Sequence, residues 1–391
     1  MKLLKETISV CHHCFVEVPA QLWEAGGKVY ISKTCPEHGN YKFLVEKDAW
    51  VFKKLLNPEN PTERDKFKRL NLSVSYKCNL NCPVCYLPDE GDPDLTLDEI
   101  KKIISGFDGG MVKLCGGEPT IREDLEDILR FICSRGKVPL LITNGIKLAD
   151  RGYVRRLKNA GLNHVAFSFN GFSDDVYEKL NGKPLFKVKM KALQNLIKEN
   201  IYTNLCVLLM QNTNEGDLKK AFKLACRHRN FVMFKIGTSS MNGRYIKGQG
   251  RIYLSEIIDM MARIIGVTKE VYVEHSLAMG GGYHLPCRIN VFPVSLYGGA
   301  GSLHEQLSFL QKLKVFFTFA FKIGLPEAVG FFVRHAKGSE IFRICIRTWP
   351  DKYRIDLNKK KRCQHCHYVK NTGEYVSFCE AVVLREGPYS L

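Results

Sequence analysis

The sequence has no hydrophobic run long enough to cross a membrane. Its most apolar stretch, residues 315–321, is bounded by Lys314 and Lys322, whereas a spanning helix needs about 20 consecutive apolar residues. The first ten residues mix Lys and Glu with apolar residues and do not resemble a signal peptide. We therefore expect a cytoplasmic protein, and peripheral contact with the inner face of the membrane stays open.

Acidic residues are scarce relative to basic ones. The 40 Asp and Glu residues stand against 58 Lys and Arg residues, which gives a formal net charge of +18. Such an excess predicts an anionic partner, namely a phosphate-bearing substrate, a nucleic acid or a lipid headgroup. The basic residues are scattered and no RNA-binding module with interleaved aromatic residues is present, which argues against nucleic acid.

The sequence divides into four segments. Residues 1–57 carry a metal-type motif, 58–70 form a linker, 71–275 form a core, and 276–391 are irregular and rich in cysteine. In the core, strands are predicted at 70–76, 111–114, 138–142, 164–169, 203–210 and 231–236. Helices are predicted between them at 96–105, 122–134, 153–159, 186–199 and 215–227. This alternation predicts an α/β fold with a parallel sheet, either doubly wound or a barrel, with catalytic groups at the carboxyl ends of the strands.

The 15 cysteines are clustered, and clustered cysteines in a reducing compartment are more often metal ligands than disulfides. The central cluster, Cys78-x3-Cys82-x2-Cys85, follows the first predicted strand of the core. Three thiolates can hold three irons of a cubane cluster and leave the fourth iron open to a ligand. A zinc knuckle or buried thiols are the alternatives.

This loop, followed by an aromatic residue, resembles the signature of the radical SAM superfamily. The resemblance implies a partial (β/α)6 barrel, a 4Fe–4S cluster, S-adenosylmethionine (SAM), and an electron donor such as flavodoxin or ferredoxin. It also implies reductive cleavage of SAM to a 5′-deoxyadenosyl radical, which abstracts hydrogen from an unactivated carbon.

Further residues match the superfamily at the ends of the predicted strands. The Gly-Gly-Glu-Pro motif would receive the SAM amino group, and its glycines would let the backbone approach the ligand closely. The other candidates would contact the methionyl, ribose, adenine and carboxylate groups of SAM. By position, the implied SAM-binding residues are Tyr86, Gly116, Gly117, Glu118, Pro119, Thr143, Asn144, Ser168, Asn170 and Arg244.

Two further metal sites are predicted, one near each end of the sequence. In the N-terminal segment, two knuckles about twenty residues apart suit a tetrahedral zinc or mononuclear iron, and the histidine favours zinc. The expected ligands there are Cys11, Cys14, Cys35 and His38. In the tail, Cys363, Cys366 and Cys379 with Cys287 would ligate an auxiliary 4Fe–4S cluster or, alternatively, zinc. Cys345 is the reserve ligand, although its alternating context favours a strand core.

The N-terminal module together with the barrel resembles the group that contains tetraether lipid synthases and pterin methyltransferases. The resemblance implies C–C bond formation or alkylation at an unactivated carbon of an apolar or lipid-linked substrate. A radical SAM methyltransferase, a peptide- or RNA-modifying enzyme, and a non-enzymatic iron–sulfur or zinc scaffold are the alternatives.

One segment of the tail bears on the substrate. Residues 307–333 place apolar side chains near helical spacing with lysines around them, namely Phe309, Leu313, Phe316, Phe317, Ala320 and Phe321. This pattern predicts either a helix packed on the barrel or a basic amphipathic element at the mouth of the active site that contacts lipid.

Overall fold

The computed structural model describes residues 1–56, 66–85, 87, 94–238, 251–278, 288–291, 309–336, 342–349, 351–358, 363–370 and 372–384. Tyr86, Arg244 and Cys287, which the sequence analysis singled out, lie outside these residues, as does most of the predicted linker.

The N-terminal segment is a four-stranded antiparallel sheet whose strands pair in chain order. Its elements are β1 (Lys2–Val10), β2 (Glu17–Ala25), β3 (Lys28–Cys35), β4 (Gly39–Glu46) and the helix α1 (Ala49–Leu56). Apolar residues alternate with polar ones along β2 and β3, so that one face packs on α1.

The core alternates strands with helices much as the sequence predicts. The strands are β5 (Arg69–Ser75), β6 (Met111–Gly116), β7 (Val138–Thr143), β8 (His164–Ser168), β9 (Tyr202–Leu209) and β10 (Phe231–Thr238). The helices are α2 (Leu97–Ser105), α3 (Leu125–Ser134), α4 (Arg151–Asn159), α5 (Asp174–Asn181), α6 (Phe186–Lys198) and α7 (Leu218–Arg227). The predicted bounds agree within a few residues. The short α5, which ends at Gly182 with φ +75°, was not predicted.

The C-terminal region is more regular than the sequence suggests. After α8 (Leu254–Ile265) and α9 (Lys269–Ala278), which close the predicted core segment, it contributes β11 (Arg288–Val291), α10 (Phe309–Ile323), α11 (Leu325–Ala336), β12 (Arg343–Arg347), β13 (His365–Val369), β14 (Glu374–Ser377) and α12 (Phe378–Leu384). The expectation of an irregular tail is therefore wrong for the described part. Cys345 is a buried residue of β12, in agreement with its alternating context.

One ten-stranded sheet organises the core, in the order β11-β12-β10-β9-β8-β7-β6-β5-β13-β14. The six strands β5 to β10 are parallel neighbours in chain order, and the tail adds two strands to each edge. Because the order never reverses, the winding is that of a barrel rather than a doubly wound sheet. The end strands β11 and β14 are not neighbours, so the barrel is open.

The two faces of this sheet differ in character. Leu70, Leu72 and Val74 of β5 and Val112 and Leu114 of β6 lie in the hydrophobic core against the helices. The alternating residues on the other face line a cavity. Side chains from β5 to β12 surround this cavity, so the sheet curves around it.

The predicted amphipathic segment is two helices separated by Gly324, which has φ +114°. Phe319 and Ile323 are buried, whereas Phe317 and Phe321 are 63% and 86% exposed. Glu327 in α11 forms an ion pair with Arg227, the last residue of α7. Because β10 begins just after α7, the start of α11 lies near the amino end of β10, opposite the carboxyl ends of the strands. Here the segment packs on the barrel, as the first alternative expects, and contact with lipid stays a prediction.

Candidate active site

The three-cysteine loop follows β5 and lines one side of a cavity of about 350 Å³. Cys78, Cys82 and Cys85 all face this cavity together with Gly116 and Gly117. A structural zinc site is closed by four protein ligands, whereas these three thiols come from one loop and face an open cavity. Three thiolates can hold three irons of a cubane and leave the fourth iron open to that cavity. The three residues fit a 4Fe–4S cluster better than a zinc knuckle.

The two glycines of the Gly-Gly-Glu-Pro motif are required by the packing of the loop. A Cβ on Gly116, where φ is +127°, would lie 2.1 Å from the Ser75 carbonyl oxygen, and one on Gly117 would lie 2.2 Å from that of Lys77. The Gly117 and Glu118 amides donate to these same two carbonyls, at 2.7 and 2.9 Å. The lack of a Cβ at these two positions therefore lets the end of β6 pack directly against the backbone that leads into the cysteine loop. We had expected the glycines to allow close approach of the ligand instead.

Glu118 is almost fully buried and is committed to a hydrogen-bond network. Its carboxylate accepts from the Thr143 hydroxyl at 2.6 Å and from the Asn144 amide at 2.7 Å, and also from Thr120. Pro119 begins the short 3-10 turn that carries Thr120. Glu118 thus joins the ends of β6 and β7 and positions the backbone of the loop.

Asn144 and Asn170 are both connected to the cysteine loop. The Asn144 side-chain amide donates to Asn79 Oδ1 at 2.7 Å and lies 3.9 Å from Cys78 Sγ. Asn170 donates to Asn181 Oδ1 at 3.2 Å, and Asn181 donates to Cys82 Sγ at 3.3 Å. Hydrogen bonds to sulfur tune the charge that a cluster carries.

Lys189 on α6 is a positioning residue that the sequence analysis missed. It is fully buried, and its ammonium donates to the backbone carbonyls of Asn144 and of Ser168, the latter at 2.9 Å. Burial lowers the pKa of Lys189 to about 8, against the opposing effect of the Glu118 carboxylate. The side chain ties the ends of β7 and β8 together at the two candidate SAM contacts.

The cavity lining also carries positive charge that the sequence analysis missed. Lys113, Lys235 and Arg347 line the cavity, together with Trp349 and Phe378. The three cations belong to β6, β10 and β12. Only the order of the strands in the sheet could have placed them together.

The N-terminal metal site is assembled as predicted. The ligand atoms of Cys11, Cys14, Cys35 and His38 all lie within 4.8 Å of one another. Cys11 and Cys14 occupy the turn between β1 and β2, whereas Cys35 and His38 occupy the turn between β3 and β4. In an antiparallel sheet paired in chain order, these two turns meet at one end. His12 and His13 are not part of the group.

The tail cysteines do not assemble as predicted. Cys366 pairs with Leu70 across β13 and β5 and is fully buried in the hydrophobic core on the helix face of the sheet. Cys363 and Cys379 remain neighbours, and their hydrogen bond lowers the pKa of Cys363 to about 6. The structure therefore places Cys366 apart from these two, with its side chain in the hydrophobic core, and the auxiliary site with Cys287 as fourth ligand stays a prediction.

Two family models match the sequence. The Radical SAM superfamily model matches residues 72–225, and the HMPTM N-terminal zinc ribbon domain model matches residues 3–47. These are the two segments that hold the three-cysteine loop and the four-ligand site.

Curated relatives are similar to part of this chain. A 7,8-dihydro-6-hydroxymethylpterin dimethyltransferase of Methanocaldococcus jannaschii is 28% identical over 295 residues, which cover 66% of this chain and 58% of that protein. A probable GTP 3′,8-cyclase of Aeropyrum pernix is 30% identical over 171 residues, covering 40% of this chain and 47% of that protein. The chain thus spans about half the length of these relatives.

Among solved structures, Streptococcus suis SuiB bound to S-adenosylmethionine has a TM-score of 0.43 at 16% identity, with 51% of this chain and 47% of that chain covered. Taken together, the family models and the cysteine loop on an open parallel barrel show that this chain carries a radical SAM domain over residues 72–225, preceded by an N-terminal zinc ribbon of the HMPTM type.

Proposed function

We propose that this enzyme alkylates, or joins by a new C–C bond, an unactivated carbon of a substrate that enters the cavity. A 4Fe–4S cluster with SAM, which the radical SAM domain implies, supplies a 5′-deoxyadenosyl radical that removes a hydrogen atom from carbon. Cys78, Cys82 and Cys85 would hold the cluster, and the ends of β6, β7 and β8 would hold SAM.

The observation that carries the proposal is the continuity of one cavity. The cysteine loop, the Gly116–Gly117 turn, Asn144 and Ser168 line the same space as the far wall formed by β10 and β12. A substrate on that wall would therefore face the cluster directly. Enclosure by the sheet limits the access of water, which a carbon radical requires.

The residues around the cavity orient the cysteine loop and hold the ends of the strands in place. Asn144 and Asn181 fix the cysteine loop through Asn79 and Cys82. Lys189 and Glu118 fix the backbone ends of three strands. Rigid placement of this kind contributes to catalysis by proximity.

Two types of substrate are compatible with this proposal. A pterin as methyl acceptor is supported by the relative named as a pterin dimethyltransferase. A lipid-linked substrate is supported by the surface of α10, where exposed Phe317 and Phe321 lie beside the exposed Lys314 and Lys322. Among the described residues, no helix combines the length and apolar character needed to cross a bilayer.

One experiment distinguishes these substrates. The reconstituted protein is incubated without oxygen with SAM and reductant, in one arm with a reduced pterin and in another with a cell lipid extract. A product heavier by one methyl group identifies the acceptor, and a loss of two hydrogens from a lipid identifies C–C bond formation. Formation of no 5′-deoxyadenosine under any condition would contradict the proposal and favour a scaffold.

The lipid alternative has a separate physical test. Sedimentation with anionic vesicles should pellet the protein at low salt and release it as salt rises, since basic residues add roughly 1 kcal/mol each near such a surface. Replacing Phe317 and Phe321 with Ser should reduce binding, whereas the same change at Val138, which is exposed on β7, should not. Equal loss with both changes would contradict a specific role of α10.

A further inference from the structure

The zinc ribbon packs along a tail segment that follows β12, namely residues 351–358. The Ser9 hydroxyl donates to the backbone carbonyl of Ile355 at 2.6 Å. The Thr7 hydroxyl donates to the Asp356 carboxylate, and Thr7, Ser9 and Asp356 are all buried. Alternation along β1 places Thr7 and Ser9 on one face, so the tail segment covers this face of the ribbon.

An apolar cluster continues this interface up to the metal site. Its members come from the ribbon, the tail segment and α12, and they are Val10, Ile355, Leu357 and Val383. Val10 directly precedes the expected ligand Cys11. The helix α12 begins at Phe378, which lines the cavity. The ribbon therefore contacts two elements that lead to the cavity, the tail segment and α12.

Lys33 joins the metal-binding turns to the tail segment. It is buried, with 2% of its surface exposed, and its ammonium donates to the carbonyl of Val10 at 2.9 Å and to that of Lys352 at 2.7 Å. Val10 precedes Cys11, and Lys33 itself lies two residues before Cys35. Loss of the ammonium would remove a donor from two carbonyls inside an interface, which costs more than the loss of an exposed bond.

The tail segment begins with a turn that Asp351 holds. The Asp351 side chain is fully buried, and its carboxylate accepts from Arg251 at 2.9 Å. The same carboxylate accepts from the backbone amides of Tyr353 and Arg354, each at 3.1 Å. Because Lys352 lies inside this turn, a shift of its carbonyl would move the turn as one unit.

Trp349 connects this turn to the cavity. It stands two residues before Asp351 and lines the cavity together with Phe378. The centroids of these two rings lie 5.8 Å apart, and we call the pair the aromatic wall. The Trp349 ring also lies against β10, since a Cβ on Gly237 would be 2.9 Å from Trp349 Nε1. Both rings thus lie next to parts of the chain that the ribbon contacts.

We propose that Lys33 is a positioning residue through which the zinc ribbon holds the aromatic wall of the cavity in place. A metal held by Cys11 and Cys35 fixes the backbone beside the Lys33 contacts, and these contacts order the tail segment. The inference rests on the proposed function in one respect, since it takes the cavity as the place where the substrate binds. The ribbon then sets how the substrate lies against the wall, whereas the SAM contacts at the ends of β6, β7 and β8 do not depend on it.

The test is hydrogen exchange of the reconstituted full-length protein, followed over residues 351–358 and compared between Lys33→Met and the wild type. Lys33→Met should speed exchange in this segment roughly tenfold, as expected for the loss of buried hydrogen bonds. Zinc content, iron content and SAM affinity should stay unchanged. Lys28→Met, at an exposed lysine on the same strand, is the matched control and should stay within about twofold of the wild type.

Trp349 gives a readout at the cavity itself. When Trp23 and Trp50 are both replaced with Phe, Trp349 is the single tryptophan of the chain. Its emission should shift to longer wavelength in Lys33→Met, because a released ring gains contact with water. Unchanged emission together with faster exchange in the tail segment would contradict the link to the cavity.

A double variant tests whether the metal and the lysine act through one connection. Cys11→Ser should also speed exchange over residues 351–358. Adding Lys33→Met to it should have little further effect, since both changes break the same connection. Additive effects of the two changes, or equal acceleration in the Lys28→Met control, would overturn the proposal.

Ser9→Ala is a milder variant that keeps the test valid if Lys33→Met fails to fold. It removes only the bond to the Ile355 carbonyl and should speed exchange over the tail segment severalfold. Exchange at the wild-type rate in this variant would overturn the role of the interface in positioning. Because none of these measurements needs reductant or substrate, failure of SAM cleavage would bear on the proposed function alone.

Discussion

The zinc ribbon and the tail contain similar cysteine spacings, yet among the described residues only the ribbon brings four ligand atoms together. In the ribbon, two turns of an antiparallel sheet bring Cys11, Cys14, Cys35 and His38 within 4.8 Å. In the tail, Cys363 and Cys366 lie on either side of the start of β13, and Cys366 packs into the core. A Cys-x2-Cys knuckle becomes a site only where a turn lets both thiols point the same way.

The three-cysteine loop is a third case, because its ligands are open to a cavity. Structural zinc sites are closed by four protein ligands, whereas a catalytic cluster must leave one iron accessible. Cys11 and Cys35 are 1% and 4% exposed, while Cys78 is exposed to the cavity. The supporting fold thus distinguishes a stabilising metal from a reactive one.

The largest expected effect comes from removing the three-cysteine loop, whose ligands are open to the cavity. Cys78→Ala, Cys82→Ala and Cys85→Ala together should remove about four irons per chain, one cubane, and abolish 5′-deoxyadenosine formation. Zinc at the ribbon should remain. Elemental analysis and product assay measure both. Iron that persists in this variant would show that Cys363 and Cys379 recruit further ligands from outside the described residues.

Breaking the closed site should affect stability rather than chemistry. Cys11→Ser removes one ligand and should lower the free energy of unfolding of the ribbon by several kcal/mol, since metal binding is part of its folding energy. Hydrogen exchange over residues 1–47 should rise while iron content stays constant. Cys133→Ser, at an exposed thiol on α3, is the control, and a similar rise there would contradict a specific metal effect.

Lys189→Met tests whether Lys189 holds the two candidate SAM contacts, Asn144 and Ser168, in place. The carbonyls of Asn144 and Ser168 would lose their donor, and we expect SAM affinity to fall and stability to drop by about 1–3 kcal/mol. The lowered pKa of Lys189, about 8, adds a pH signature. Below pH 8 the lysine is charged in both states. Between pH 8 and its ordinary value of 10.5 the unfolded chain holds the extra proton, so rising pH favours the fold.

Denaturation of the wild type and of Lys189→Met over this pH range measures the effect. The wild type should gain stability relative to the variant as the pH rises. A constant difference between the two proteins would show that Lys189 keeps an ordinary pKa.

The smallest effect belongs to the tail cysteine in the core. Cys366→Ala should cost about 1 kcal/mol of stability, because a small buried side chain is truncated. Iron and zinc contents should be unchanged. A loss of either metal would contradict the placement of this thiol on the helix face and restore it as a ligand.

Sequence reasoning succeeded where the information is local. The helix predicted at 96–105 is present as α2, and a capping box of Thr96 and Glu99 begins it, with the Thr96 amide donating to Glu99 at 2.7 Å, because the two partners are three residues apart. It failed where distant segments meet. The tail strands join both edges of the sheet, and no spacing in the sequence indicates that β13 pairs with β5.

By itself, the sequence determined the order of the six core strands and of five helices between them, the four-ligand ribbon site and the position of the three-cysteine loop, since covalent connection fixes these over a few residues or one hairpin. Only the tertiary structure decided that Lys113, Lys235 and Arg347 line one cavity and that Cys366 faces away from it. Sheet order and the alternation of side chains across each strand set those positions, and both depend on contacts between residues that are far apart in the chain.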